Sequence, residues 1–301
     1  TPFAEQLQYN GFRRRLDSHI SGFGPYEQVR LCKMTNGIFF QLPGEQENLN
    51  ELDDRKNTAL NLREYLPDLS SRGTYQRHRD GSKFRKAIWD VIVMLNPYNP
   101  RAEGLELPDP EQTRERFNTE LASYGPKVQD RLQQIKLILN VMQQARRHLA
   151  SVEDLRDSEP SRRWRANYDL ISAQLLWYQV RLFEYAIGLE QFARKGVPAR
   201  LKENPKHNRW YIREDPSDFV LPDELQQKLL GVSPEELEQV RDKALEGLRK
   251  VQEEHAGTPW SRRAEWEINR KTGVQFRTYY QAPPKPSKPV KRPKPPPPPK
   301  L

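Results

Sequence analysis

The residue types that could ligate a metal or attack a substrate are few in this chain, and they stand apart. Five histidines, His19, His78, His148, His207 and His255, fall in unrelated contexts. No His-x3-His, His-Glu-x2-His or Cys-x2-Cys spacing occurs, so no local run offers the facing imidazoles or paired thiolates that zinc needs. The single cysteine, Cys32, can close no internal disulfide; between Leu31 and Lys33 on an amphipathic segment it reads as a small buried hydrophobe. Gly-x-Ser-x-Gly elbows and phosphate-cradling Gly-Lys-Ser/Thr loops are absent. Acid pairs at Asp53-Asp54, Glu235-Glu236 and Glu253-Glu254 suit helix ends and solvated faces better than acid–base catalysis. The expectation is a non-enzyme with no catalytic, cofactor-binding or metal residue in this chain.

One ladder of charge is left. Lys285, Lys288, Lys291 and Lys294 recur every three residues, with Arg292 beside them, in a tail about half proline. Proline-rich chain adopts polyproline II, which repeats every three residues, so these cations would line one edge of an extended, disordered tail. Such an edge suits an acidic polymer, an anionic surface or an acidic protein, or serves only solubility. The tail from Ala282 carries +6 of the formal +9, which leaves +3 over the other 281 residues, with acids and bases interleaved. That distribution is an ordinary solvated surface and disfavours nucleic acid. The longest uncharged run in the most apolar segment, Leu170 to Val180, is far short of the ~20 residues a membrane span needs.

Mean hydropathy of −0.95 and 30% charged residues suit elongated helices with narrow apolar seams. The fold expected is mainly α: a long antiparallel helical pair and a helical hairpin, with a small α/β unit before them. Residues 1–43 form that unit. Residues 44–108 form a helical linker region, with helices at Asp53–Leu66 and, behind the cap candidate Ser82, at Lys83–Leu95. Residues 109–200 hold the pair. Asp109-Pro110 starts a helix to about Ser123, Gly125-Pro126 breaks or kinks it, and a long helix follows to about Leu155.

The second long helix carries the strongest pattern. Trp164, Tyr168, Ile171, Leu175, Tyr178, Leu182, Tyr185, Leu189 and Phe192 alternate spacings of four and three. That is one apolar seam on about 35 residues, matched by Val128, Leu132, Ile135, Leu139, Met142 and Leu149 on its neighbour. Residues 201–232 read as irregular. Residues 233–281 read as the hairpin, opened by the capping box Ser233-Pro234-Glu235-Glu236, turned at Gly257 and re-capped at Thr258-Pro259. Residues 282–301 are the tail.

Gly22 to Leu42, GFGPYEQVRLCKMTNGIFFQL, runs as turn, amphipathic helix, Asn36-Gly37 turn and short apolar strand. It resembles the C-terminal end of a von Willebrand factor A-like domain in a group of bacterial proteins with a long helical extension. TPFAEQLQ, RWRANYDLISAQLLWYQVRLFEYAIGLE and EEHAGTPWSRRAEWEIN look like other parts of those proteins. The resemblance implies an A-domain whose earlier strands precede Thr1, a protein-interaction or scaffolding role with the helical part as spacer or docking surface, and the bacterial envelope rather than the cytoplasm. A regulatory subunit whose catalytic partner lies elsewhere is the other reading. It also implies an Asp-x-Ser-x-Ser loop holding Mg²⁺, whose hard oxygen ligands suit that ion. The nearest string here, Asp68-Leu69-Ser70-Ser71-Arg72, has Arg72 in place of the last serine and follows the α/β unit. No metal residue carries over; Mg²⁺ would belong to an upstream part.

Overall fold

The computed structural model describes residues 3–12, 15, 26–38, 63–96, 117–118, 121–195, 204, 206–214 and 220–282. Helices dominate: α1 Tyr26–Met34, α2 Arg72–Asp80, α3 Lys83–Met94, α4 Leu121–Ala150, α5 Arg162–Lys195, α6 Glu224–Leu230, α7 Pro234–Glu254 and α8 Pro259–Arg270. Strands β1 Phe117–Asn118, β2 Arg209–Glu214 and β3 Val274–Tyr279 form one antiparallel sheet in that order. The chain is mainly α, as its pattern predicts.

α5 is the axis. All nine seam residues from Trp164 to Phe192 are buried, and so are Ala166, Leu170, Ala173, Trp177, Val180 and Ile187 on its other faces. A helix apolar on more than one face needs more than one neighbour. α4 makes one contact and α7 a second, and α8, β3 and α3 touch it too. Gly247 of α7 shows how close the second contact is, since a Cβ there would stand 3.1 Å from that of Ala173.

Local signals set the helix ends. Ser82 accepts from the N–H of Arg85, and Thr258 from that of Ser261. Ser233 and Glu236 complete the reciprocal capping box. Gly257 turns the hairpin at φ +70°, a conformation that favours glycine.

Several elements differ from the sequence expectation. α4 runs unbroken through Gly125-Pro126. Pro126 is only the sixth residue of that helix, so its missing N–H removes one bond beyond the first turn. The helix ends at Ala150, and residues 153–155 form a separate 3₁₀ turn. Phe117–Asn118 is strand where a helix was expected. The region read as irregular contains β2 and α6, and the hairpin is followed by β3. Of the Asp53–Leu66 helix, only the 3₁₀ turn Arg63–Tyr65 and Leu66 fall within the described residues. α2, capped by Ser71, was not foreseen.

Residues 3–12, grouped by sequence with the α/β unit, pack into the helical core: Ala4, Leu7 and Tyr9 are buried. Gly11, at φ +87°, lies where a Cβ would approach Met142 and Leu182 to 3.2 Å, so the segment crosses the α4–α5 seam.

Candidate functional site

Folding gathers charge at the N-terminal end of α5. Asp169 of α5 accepts from Arg156 through both oxygens, at 2.8 and 2.6 Å. Arg156 also bonds Glu254 at the end of α7. His255, the C-cap of α7, places Nε2 2.9 Å from Asp169 and Nδ1 2.9 Å from the Tyr65 hydroxyl. With Nε2–H donating to the carboxylate and the phenol donating to Nδ1, a neutral imidazole is satisfied on both sides. Burial pushes the Asp169 carboxyl up, but hydrogen bonds from Arg156 and His255 outweigh that and hold it below the usual aspartate value.

Next to this clasp, Glu5 accepts from Tyr75 at 2.6 Å and from Arg163 at 2.5 Å. Arg163 lies over the Trp260 ring at 5.3 Å, and the Trp260 indole donates to Asn167 at 2.7 Å. Glu159 takes Arg85 in a two-pronged pair at 2.9 and 2.6 Å. The N-terminal segment, α2, α3, α5 and the hairpin are thereby tied at one end.

Asp169, Glu254 and His255 offer ligand atoms within 4.8 Å of one another. The cation already among them is the Arg156 guanidinium, and both ring nitrogens of His255 are engaged. A divalent ion would have to displace an arginine from a near-ideal pair, so the donor set fits a salt-bridge clasp better than a metal centre.

Farther along α5 the buried charges are less well matched. Glu267 of α8 accepts from Tyr178 at 2.6 Å, Gln174 at 3.2 Å and Arg263 at 2.6 Å, all through Oε1, while its buried Oε2 has no hydrogen-bond partner among the described residues. Desolvation presses Arg181 below the usual arginine value. Glu184 accepts from the Val220 N–H at 3.3 Å, and burial raises its carboxyl to about 7. A carboxyl tuned to neutrality is a signature of acid–base catalysts. Glu184, however, exposes none of its surface, so no substrate reaches it in this conformation.

The residues singled out from sequence are scattered. Lys285, Lys288, Lys291, Arg292 and Lys294 lie outside the described residues, as does His19. His78 bonds Asp68, His207 bonds Thr278, and His148 lies 3.5 Å from Asp90. The Asp68–Arg72 string is a helix entry: Asp68 holds the Ser70 N–H and His78, and Ser71 caps α2. Its carboxylate is thus committed, which does not fit a Mg²⁺ loop. Cys32 is only partly buried on α1, less covered than a core hydrophobe would be. The Asp169–His255–Arg156 clasp was missed because its members lie 13 and 86 residues apart, beyond any local motif.

α1 is the other unusual feature. It closes with a Schellman turn: Gly37 N–H reaches the Cys32 carbonyl at 2.7 Å, with Asn36 left-handed at φ +55°. Leu31, Met34 and Ile38 are 62%, 72% and 76% exposed. Ile38 is not in a strand, and Phe39 and Phe40 fall outside the described residues. No protein-family model matches this chain, nor does any curated protein or solved structure.

Proposed function

We propose that this chain is a non-enzymatic protein-interaction module in which a helical body carries the closing helix of a von Willebrand factor A-like α/β unit. The observation that carries the reading is α1, whose apolar residues Leu31 and Met34, with Ile38 beyond the turn, are exposed among the described residues. A glycine-closed turn leading from a helix into an apolar run is how α/β units pass from helix to strand. Its natural cover is an apolar sheet. The non-enzymatic part rests on the clusters above: the reactive groups of the Asp169 clasp are consumed by one another, which suits a rigid spacer.

The test is a photo-crosslink. Benzoylphenylalanine replaces Met34 in the product of the complete reading frame, and the crosslinked peptides are mapped. Capture of strand residues from an α/β domain, in the same chain or another, is expected. Crosslinks confined to residues 63–282 would overturn the reading.

A further inference from the structure

The two ends of α5 are held in different ways. The N-terminal end carries the matched clasp at Asp169, whereas the C-terminal half is crossed by a strap, residues 220–232, that contains α6.

The strap rests on one row of α5. Val220 donates its N–H to Glu184 Oε1 at 3.3 Å. Gln226 donates through Nε2 to the Ile187 carbonyl at 3.3 Å and to Glu190 at 2.6 Å. Arg194 pairs with Asp223. Glu184, Ile187, Glu190 and Arg194 follow one another at three, three and four residues, the spacing of a single helix face. Beside that row Val180, Ile187, Val232 and Leu237 form a buried cluster separate from the main core, with Phe183 and Val220 packed on it. So small a cluster lets the strap part from α5 while the main core stays closed.

The ties along the strap are unequal. Asp223 and Gln226 form a capping box at the start of α6, and Arg194 bonds both Asp223 and Glu190, so the charges there are matched. At the Val220 end a carboxyl with no exposed surface meets one backbone N–H. Its Oε2 is buried with no hydrogen-bond partner among the described residues. Among those residues Arg181 of α5 and Arg241 of α7 face Glu184, and Glu267 and Arg263 of α8 face Arg181. Glu224 and Lys228 of the strap, and Lys271 before β3, are exposed. Burial outweighs the Thr272 hydroxyl, the Val220 N–H and the two arginines, and raises the carboxyl to about 7.

We propose that Glu184 is a pH-sensitive latch: the strap is closed while this carboxyl is protonated, and its Val220 end lifts from α5 as the carboxyl ionises. A carboxylate in the closed strap is a buried charge with too few donors. Lifting brings it into water, where its value returns toward the ordinary 4.5. The closed form therefore binds the proton more tightly than the open one. Opening grows as pH rises from that ordinary value through about 7 and levels off above it. The lifted strap would bare Val180 and Phe183 of α5. The inference is independent of α1 and of what covers it.

The test is amide hydrogen exchange on the full chain across a pH series, with the intrinsic exchange rate divided out at each pH. Residues 220–232 should be less protected than residues 162–195 at every pH. Their protection should fall by up to about tenfold for each pH unit between 4.5 and about 7, then level off. Glu184→Gln keeps an acceptor for the Val220 N–H and carries no charge, so residues 220–232 should stay protected in it without that dependence. Protection of 220–232 equal to that of 162–195 would mean that the strap opens only with the whole fold, and would overturn the latch. So would wild-type protection that does not change with pH, or the same change in Glu184→Gln. The wild-type series decides the matter alone if the variant fails to fold.

Discussion

α1 and α5 are both built on apolar residues at helical spacing, and they meet opposite fates. α5 buries its seam and its other faces against α4, α7, α8 and the sheet, while α1 leaves Leu31 and Met34 in solvent. A nine-residue helix is too short to be stable alone in water. The core of the helical body is covered by described residues, whereas the cover of the apolar residues of α1 is not among them. Stability should reside in α5 and docking in α1, and substitutions should separate the two.

The largest effect is expected at the clasp that fixes the N-terminal end of α5. Asp169→Ala strands Arg156 and His255 without their carboxylate and should cost about 3–5 kcal/mol in denaturant unfolding. Asp169 is held below its unfolded value. Its contribution is therefore present above the unfolded pKa and lost as pH falls through the folded one, so Asp169→Asn should flatten the acid limb of the stability profile. In the seam, Leu175→Ala should cost about 2–5 kcal/mol by the same measurement; a small loss would mean that α5 is not the axis.

Glu184 should act in the reverse sense. Its folded value of about 7 lies above the ordinary 4.5, so between those values the native state holds the proton more tightly and stability falls as pH rises. Glu184→Gln keeps an acceptor for the Val220 N–H and should stabilise above pH ~7, by up to about 3 kcal/mol. A Tm that does not change with pH across this window in wild type would remove the basis for that effect. The smallest change is expected on α1. Leu31→Asp with Met34→Asp should shift stability by no more than about 0.5 kcal/mol, while abolishing any contact made through that face.

The seam of α5 was readable because nine large residues held one alternation over eight turns, and the caps at Ser82, Ser233 and Thr258 were readable because each is local. The neighbours on the other faces of α5 were not. Ala173 and Trp177 are visibly apolar, but only the fold brings Gly247 against one of them. β2 and β3 went unseen because six-residue strands give a short period-2 signal, although the alternation of Arg209 and Tyr211 with Trp210 was there to find. The clasp had no signal at all: Asp169 sits two turns into α5 as an ordinary charged residue, and its partners come from a connecting turn and a distant helix end.

Amide hydrogen exchange on the isolated 301-residue chain tests the contrast between α1 and α5 most directly. Residues 162–195 should exchange only on global unfolding, while residues 26–34 should exchange at close to the rate of unstructured chain. Protection of 26–34 comparable with that of α5 would mean that its apolar face is already covered within this chain, and the docking role assigned to it would fall.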